Sequence, residues 1–282
     1  DIFIINKNFL YDILNIFRRD ENIGMIGFTG AKVIPTDGIW WNSIHCYGKV
    51  YESHTGVMNE LKFKDVKSDY EEVKAIDGMI MVTEYDVPWR DDIFNGWHFY
   101  DISQCVEFNL KNYKIVIPNQ NKPWIIHDCG IVASGNPYEH YRNVFLDEYS
   151  KKIFPLVSIL IPTHNRPDYF EIALKSAINQ TYKNIEIIVS DDGSNNITQK
   201  LISPYLKKFK FIKYYRASKE YNGIKNMRNC YKYSNGEYIN YLMDDDVFNK
   251  YKVEKMVNYF LAFNNVSLVT SYRRFIDSNG ND

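Results

Sequence analysis

The feature that most constrains this chain is an alternation of short apolar runs and helix-like segments that begins at Val157 and ends on three consecutive acids. Val157 to Ile161 is a β-rich run bounded by Pro155 and Pro162, and Pro167 to Gln180 carries apolar residues at helical spacing. Ile185 to Val189 reads as a second buried strand, followed by a polar break at Asp191 to Asn196 and a helix to about Leu206. A strand near Phe211 to Tyr215, a helix from about Gly223 to Tyr233 and a strand from Tyr238 to Met243 complete the series, and Asp244, Asp245 and Asp246 follow. Strands alternating with helices predict a parallel sheet, whose ligands sit beyond the carboxyl ends of the strands. The polar breaks after Val189 and Met243 both fall at such ends.

The first half is less regular and predicts an α+β segment. It has a helix near Lys7 to Arg18, strands near Met25 to Phe28 and Ala75 to Val82, and a helix from Asp101 to Asn112, while Asp1 to Ile5 has the character of a strand end. Pro137 to Pro155 is polar and aromatic without clear periodicity, so the boundary is placed there, dividing the chain into 1–136, a linker 137–154, and 155–282. An internal repeat links the halves: residues 13–17 recur in character at 256–260, and 22–26 at 265–269. Since 256 − 13 and 265 − 22 are both 243, Asp1 falls on Asp244. An offset the size of a domain predicts a fragment of two tandem domains, cut within each.

Charge excludes some classes of partner. Lys+Arg 34 against Asp+Glu 35 leaves a net charge of -1, which offers no field for nucleic acid. The four cysteines, Cys46, Cys105, Cys129 and Cys230, have no paired spacing for zinc or a redox centre and suit a reducing, cytoplasmic compartment. No apolar run reaches the roughly 20 residues that span a bilayer.

Three acids at one strand end repel unless they share a cation. Hard divalent cations such as magnesium or manganese take carboxylate oxygens and leave positions open for phosphate oxygens. A solvated acidic turn capping the next helix is the simpler explanation of the same residues. At the other strand end, Asp191-Asp192-Gly193-Ser194 can either accept hydrogen bonds from a base or ribose, or serve as a plain turn.

Taken together, four pieces resemble the nucleotide-binding half of family 2 inverting glycosyltransferases with the GT-A fold. They are VSILIPTHNR at Val157 to Arg166, SAINQTYKNIEIIVSDDGS at Ser176 to Ser194, NMRN at Asn226 to Asn229, and GEYINYLMDDD at Gly236 to Asp246. The resemblance implies that Pro162 and His164 line a base pocket with Asn165 and Arg166 beside them. Asp191 and Asp192 then face the base, Arg228 approaches the donor, and Asp244 to Asp246 form the metal motif, with Asp244 and Asp245 also near the nucleotide. The implied cofactor is Mn2+ or Mg2+ and the implied donor a nucleotide-sugar, a UDP-sugar first.

Asp1 to about Ala133 resembles the acceptor-binding half of another member, through Asp77-Gly78-Met79, GWHFYDISQC at Gly96 to Cys105 and PWIIHDCG at Pro123 to Gly130. By that resemblance Asp101 is the base that deprotonates the acceptor, although Asp101 with Gln104 also has the spacing of a helix capping box. His127 would be a metal ligand, while Trp97 and His98 would form an acceptor platform; Trp124 fits apolar burial better. The implied acceptor is a glycan or a lipid-linked glycan, with membrane association at the inner face through parts outside this chain. Two other functions remain open at this point. A sugar-nucleotide nucleotidyltransferase would use similar acids but needs a glycine-rich phosphate loop, and Thr163 to Tyr169 has no glycine. A non-catalytic nucleotide- or glycan-binding module is the third.

Overall fold

The computed structural model describes residues 1–130, 136–217 and 222–275. The chain divides into two units, Asp1–Tyr149 and Ser150–Asp282.

Unit 1 is α+β. In chain order it contains β1 (Ile2–Ile4), α1 (Phe9–Phe17), β2 (Ile23–Ile26), β3 (Thr29–Ala31), β4 (Cys46–Glu52), β5 (Asn59–Lys62), β6 (Tyr70–Val73), β7 (Ala75–Ile76), β8 (Val82–Thr83), α2 (Tyr100–Leu110), β9 (Lys114–Pro118) and β10 (Ile125–His127). One sheet runs β1-β10-β4-β3-β7 with β5 on β4, and another β6-β9-β2-β8. Their shared apolar faces and α1 enclose Ile13, Ile16, Ile26, Phe28, Val50, Val116 and Ile125. Trp124 packs into this core against Phe9 and Phe28, as its apolar neighbours foretold.

Three expectations are corrected here. The single strand expected over Ala75 to Val82 is two short strands in different sheets, because Asp77 folds back to accept the Met79 amide at 3.0 Å and turns the chain between them. The capping box of Asp101 and Gln104 does not form. Phe99, at φ 62°, occupies the cap of α2, and Gln104 donates instead to the Val87 carbonyl at 2.7 Å. The segment 137–154 is not irregular but helical, α3 (Asn136–Ile153), which buries Phe145, Leu146 and Tyr149.

Unit 2 contains β11 (Val157–Thr163), α4 (Pro167–Ile178), β12 (Ile185–Asp191), α5 (Ile197–Lys208), β13 (Ile212–Arg216), α6 (Gly223–Lys232), β14 (Tyr238–Tyr241) and α7 (Lys252–Ala262). Every strand pairing is parallel and the order is β13-β12-β11-β14. α4 packs on α5 and β11, and α6 packs on β11 and β12; crossovers of the usual right hand set these helices on opposite faces, and every residue of β11 and β12 is buried. The chain thus has the expected α/β class, parallel in its C-terminal half and α+β before it. The repeat holds for the helices, since α1 and α7 start at residues 9 and 252, again 243 apart. It fails for the following strand: residues 265–269, which correspond to β2, form no strand. In unit 1 β2 is made by its pairing with β8 and β9, and residues 265–269 have no such partner among the described residues.

Candidate functional site

In the order β13-β12-β11-β14, the chain steps outward from β11 to β13 and then returns to the far side of β11. The crevice at that switch point, beyond the carboxyl ends of β11 and β14, is where open parallel sheets hold ligands. Thr163 ends β11, and Asp244 follows β14 by three residues. Thr163 Oγ1 donates to Asp244 Oδ2 at 2.9 Å, and the His164 amide approaches the same oxygen at 3.4 Å. Asp244 is buried, which pushes its carboxyl above the ordinary range against the pull of these two donors.

The loop after β12 meets the same residues. His164 Nδ1 lies 3.2 Å from Asp192 Oδ1, and the Asp192 amide donates to the Thr163 carbonyl at 3.3 Å. Asn165 adopts φ 53°, a left-handed conformation that asparagine tolerates. Its side-chain oxygen accepts the Ser194 amide at 3.0 Å, locking the β11 and β12 loops together. Gly193 is required at this junction, since a Cβ there would lie 2.8 Å from Asn165 Oδ1 and 2.9 Å from Asp191 Oδ1.

The two acids of the β12 loop have different partners. Asp191 is buried and both its oxygens already take protein donors: the Gly193 amide at 2.8 Å on one, Tyr214 Oη and Arg216 Nη1 on the other. Asp192 instead presents Oδ1 to His164 and to Asn226 Nδ2, at 3.0 Å. Asn226 also donates to the Thr163 carbonyl at 3.2 Å, and its own Oδ1 is buried with no hydrogen-bond partner. Asn226 was missed in the sequence, where Arg228 stood out in the same motif. Helical spacing carried the signal: Asn226, Asn229 and the buried Cys230 share the sheet-facing side of α6, Asn229 donating to Ser190 Oγ at 2.8 Å. Arg228 is exposed, two positions round the helix from Asn226.

Of the acidic triplet, Asp245 accepts Arg166 Nη1 at 2.7 Å, with both side chains about half exposed. Asp246 is exposed, and among the described residues no hydrogen bond or ion pair engages its carboxylate. Pro162 lies buried inside β11 in register with Ser190. Asp244 and Asp246 belong to unit 2 and His127 to unit 1. Among the described residues no three His, Cys, Asp or Glu side chains are grouped as a ready metal centre.

Unit 1 gathers a second group of acids. Asp101, the second residue of α2, accepts the Gly78 amide on Oδ2 at 3.1 Å, and burial together with nearby Asp77 pushes its carboxyl up to about 7. Gly78 is needed for this approach, as a Cβ would lie 2.4 Å from Tyr100 Oη and 2.9 Å from the Asp101 Cβ. Asp77 is raised by burial too, while His127 acts against the rise. His127 pairs with Glu52 across β10 and β4 and with Ile2 across β10 and β1. Trp97 is almost fully exposed, and His98 meets the Tyr138 ring edge-on with centroids 5.4 Å apart.

Residues 1–149 match the family described as "Glycosyltransferase like family", and residues 158–282 match "Glycosyl transferase family 2". An uncharacterized glycosyltransferase of Rickettsia prowazekii is 38% identical over 116 residues, covering 41% of this chain and 35% of the relative. A Campylobacter jejuni protein named GalNAc(5)-diNAcBac-PP-undecaprenol beta-1,3-glucosyltransferase is 40% identical over 96 residues, covering 33% of this chain and 30% of that protein. The chain thus spans about a third of the length of these curated relatives. Among solved structures, S. aureus TarS 1-349 is similar at 24% identity and TM-score 0.35, covering 37% of this chain and 32% of that one. The mannosyltransferase PcManGT from Pyrobaculum calidifontis, in complex with GDP-Man and Mn2+, is similar at 16% identity and TM-score 0.36, covering 39% and 33%. With 149 of 282 residues in the first match and the second match beginning where the parallel sheet begins, the chain belongs to the glycosyltransferases, its second unit to family 2.

Proposed function

We propose that unit 2 binds a nucleotide-sugar, a UDP-sugar first, at the switch point of its parallel sheet, and that the protein transfers the sugar with inversion to a glycan or lipid-linked acceptor. The observation that carries the reading is the convergence on Thr163 and His164: the loop of Asp192 and the tail of Asp244 are both hydrogen-bonded to the end of β11. A base held by Asp192 and His164 and a diphosphate lying toward Asp244 to Asp246 would occupy one crevice. Asn165, Arg166 and Arg228 would contact the nucleotide from the rim, while Asp191 braces the β12 loop beneath it.

The residues after β14 suit a hard divalent cation. Asp246 is exposed and unengaged, Asp244 is fixed by Thr163, and both offer carboxylate oxygen, the donor that Mn2+ and Mg2+ prefer. Such an ion, when bound, would neutralise the diphosphate and ease departure of the leaving group.

Asp101 would serve as base in the domain to which unit 1 belongs. A carboxyl held near 7 is matched to accepting a hydroxyl proton at neutral pH. His127 would be a metal ligand of that same domain, because the offset of 243 carries Asp244 onto Asp1, and Ile2, the next residue, is paired with His127. Trp97 and His98 would stack against the acceptor. The Campylobacter relative, named for an undecaprenol-linked acceptor, supports a lipid-linked acceptor. Among the described residues no helix is long and apolar enough to cross a membrane.

Calorimetry of the chain with a panel of nucleoside diphosphates in the presence of Mn2+ tests this reading. Heat from UDP that Asp192→Ala abolishes is the expected result; no heat from any member of the panel would reject the donor site.

A further inference from the structure

The loop between β3 and β4 carries two adjacent tryptophans with opposite surroundings. Trp40 is 3% exposed and packs edge-on against Phe63, ring centroids 5.7 Å apart, whereas Trp41, beside it in the one-turn helix Trp40–Asn42, is 48% exposed. A lone exposed ring is ordinary, but this one is fixed in place and continues into a row. The Asp37 carboxylate accepts the Ile39 amide at 2.9 Å and Asn42 Nδ2 at 2.8 Å, closing the loop on itself. The loop backbone at Gly38 lies against the rings of Phe145 and Phe99, where a Cβ would come within 3.0 Å and 3.4 Å of them. Trp41 then meets the Tyr138 ring, centroids 6.0 Å apart, and Tyr138 meets His98 at 5.4 Å and Phe99 at 5.2 Å.

Phe99 ties this row to an acid. It stands at φ 62°, a region that bulky side chains rarely enter, and directly precedes α2, whose second residue is Asp101. One strained residue thus sets both the start of the helix that carries Asp101 and one of the rings that hold Tyr138. The Tyr138 hydroxyl is buried and has no hydrogen-bond partner among the described residues, a condition that a ligand hydroxyl would relieve. Burial first, then Asp101 and Asp37 nearby, push its pKa up.

We propose that Trp41 is the stacking platform for the acceptor sugar one unit beyond the residue whose hydroxyl Asp101 deprotonates, with Tyr138 lying between the two. The proposal rests on reading unit 1 as acceptor-binding and Asp101 as its base. A pyranose presents its C–H bonds as an apolar face, and an indole ring offers that face a large flat area at small entropic cost. Trp97 and His98 contact the reacting sugar and Trp41 the next one, so the acceptor held by unit 1 is an oligosaccharide and not a single sugar.

Saturation-transfer NMR on the full chain tests it, with methyl glycosides of glucose, galactose, N-acetylglucosamine and N-acetylgalactosamine and the homodisaccharide of each as probes. At least one disaccharide should bind roughly tenfold or more tightly than its monosaccharide. Trp41→Ala should erase that preference and Trp41→Phe, which keeps a ring, should retain most of it. Because Trp41 is half exposed, thermal unfolding followed by circular dichroism should be the same in both variants as in the native chain. Equal affinity for the two lengths, or a disaccharide preference that survives Trp41→Ala, would overturn the proposal and leave unit 1 an acceptor half. Absence of transfer to every sugar on the native chain would reject that reading, and the proposal with it.

Discussion

The Thr163 hydroxyl donates to the Asp244 carboxylate at 2.9 Å, joining the carboxyl ends of β11 and β14 across the switch point of the sheet. The first acid of the triplet after β14 is thereby fixed to the strand that also anchors Asp192. Thr163→Val keeps the shape and removes the donor. A buried acceptor left short of a partner costs about 1–3 kcal/mol, so urea unfolding of unit 2 should shift by that order and UDP affinity should fall with it. An unchanged midpoint and affinity would mean that the bond positions nothing.

Asn226 and Arg228 separate positioning from surface. Asn226→Ala removes the donor shared by Thr163 and Asp192, and UDP binding should weaken by about tenfold, which is roughly one hydrogen bond's worth. Arg228→Ala, on an exposed position, should change stability by no more than about 0.5 kcal/mol; any loss of UDP affinity it causes then reports direct contact with the donor. Calorimetry and urea titration on both variants distinguish the two roles. Equal stability losses would remove the distinction.

Asp101 links unit 1 to pH. Its carboxyl is raised from 3.8 to about 7, so the folded state favours the neutral form. The stability it contributes is complete below the unfolded value near 4 and is lost as pH rises through 7. Asp77, also raised by burial, acts with the same sign. The urea midpoint of unit 1 should therefore decline between about pH 4 and 7, and Asp101→Asn should flatten that decline. A slope unaltered by the substitution would place the titration elsewhere.

Glu186 has the opposite sign. Burial pushes it up, but donors from Lys213 at 2.8 Å, Ser158 at 2.7 Å and the Asn235 amide outweigh that and hold it at about 2. Its contribution is complete above the unfolded value of 4.5 and is lost as pH falls toward 2. Glu186→Gln should destabilise unit 2 by about 1–3 kcal/mol at neutral pH and blunt the acid limb of its unfolding, read by circular dichroism. Because Glu186 lies near the amino end of β12, away from Asp191 at its carboxyl end, UDP binding should survive.

The parallel sheet was legible because buried parallel strands are rich in apolar β-branched residues, as at Ile159–Ile161 and Ile187–Val189, and need no partner identified in advance. α3 was not, since its buried side is built from Phe145 and Tyr149 with tyrosines at 138 and 141, and a Tyr-rich stripe reads as polar when counted by type. The turn at Asp77 was hidden for another reason: β-like residues surround it, and only the Met79 amide reveals the break. At the site, residue type pointed to Asp192 and Asp244, whereas Thr163 and Asn226 are bonded to those acids, Asn226 showing only through its helical spacing with Asn229 and Cys230. The capping box expected at Asp101 does not form because Phe99, at φ 62°, takes the cap position and the helix already begins at Tyr100.

The central claim is that one crevice holds the base near Asp192 and a metal-bound diphosphate near Asp246. Titrating uridine and UDP into the chain and its Asp246→Ala variant, with and without Mn2+, tests it most directly. The account predicts that Mn2+ strengthens UDP but not uridine, and that Asp246→Ala erases this gain while leaving uridine affinity intact. A gain from Mn2+ that persists in Asp246→Ala, or one of equal size for uridine, would contradict it.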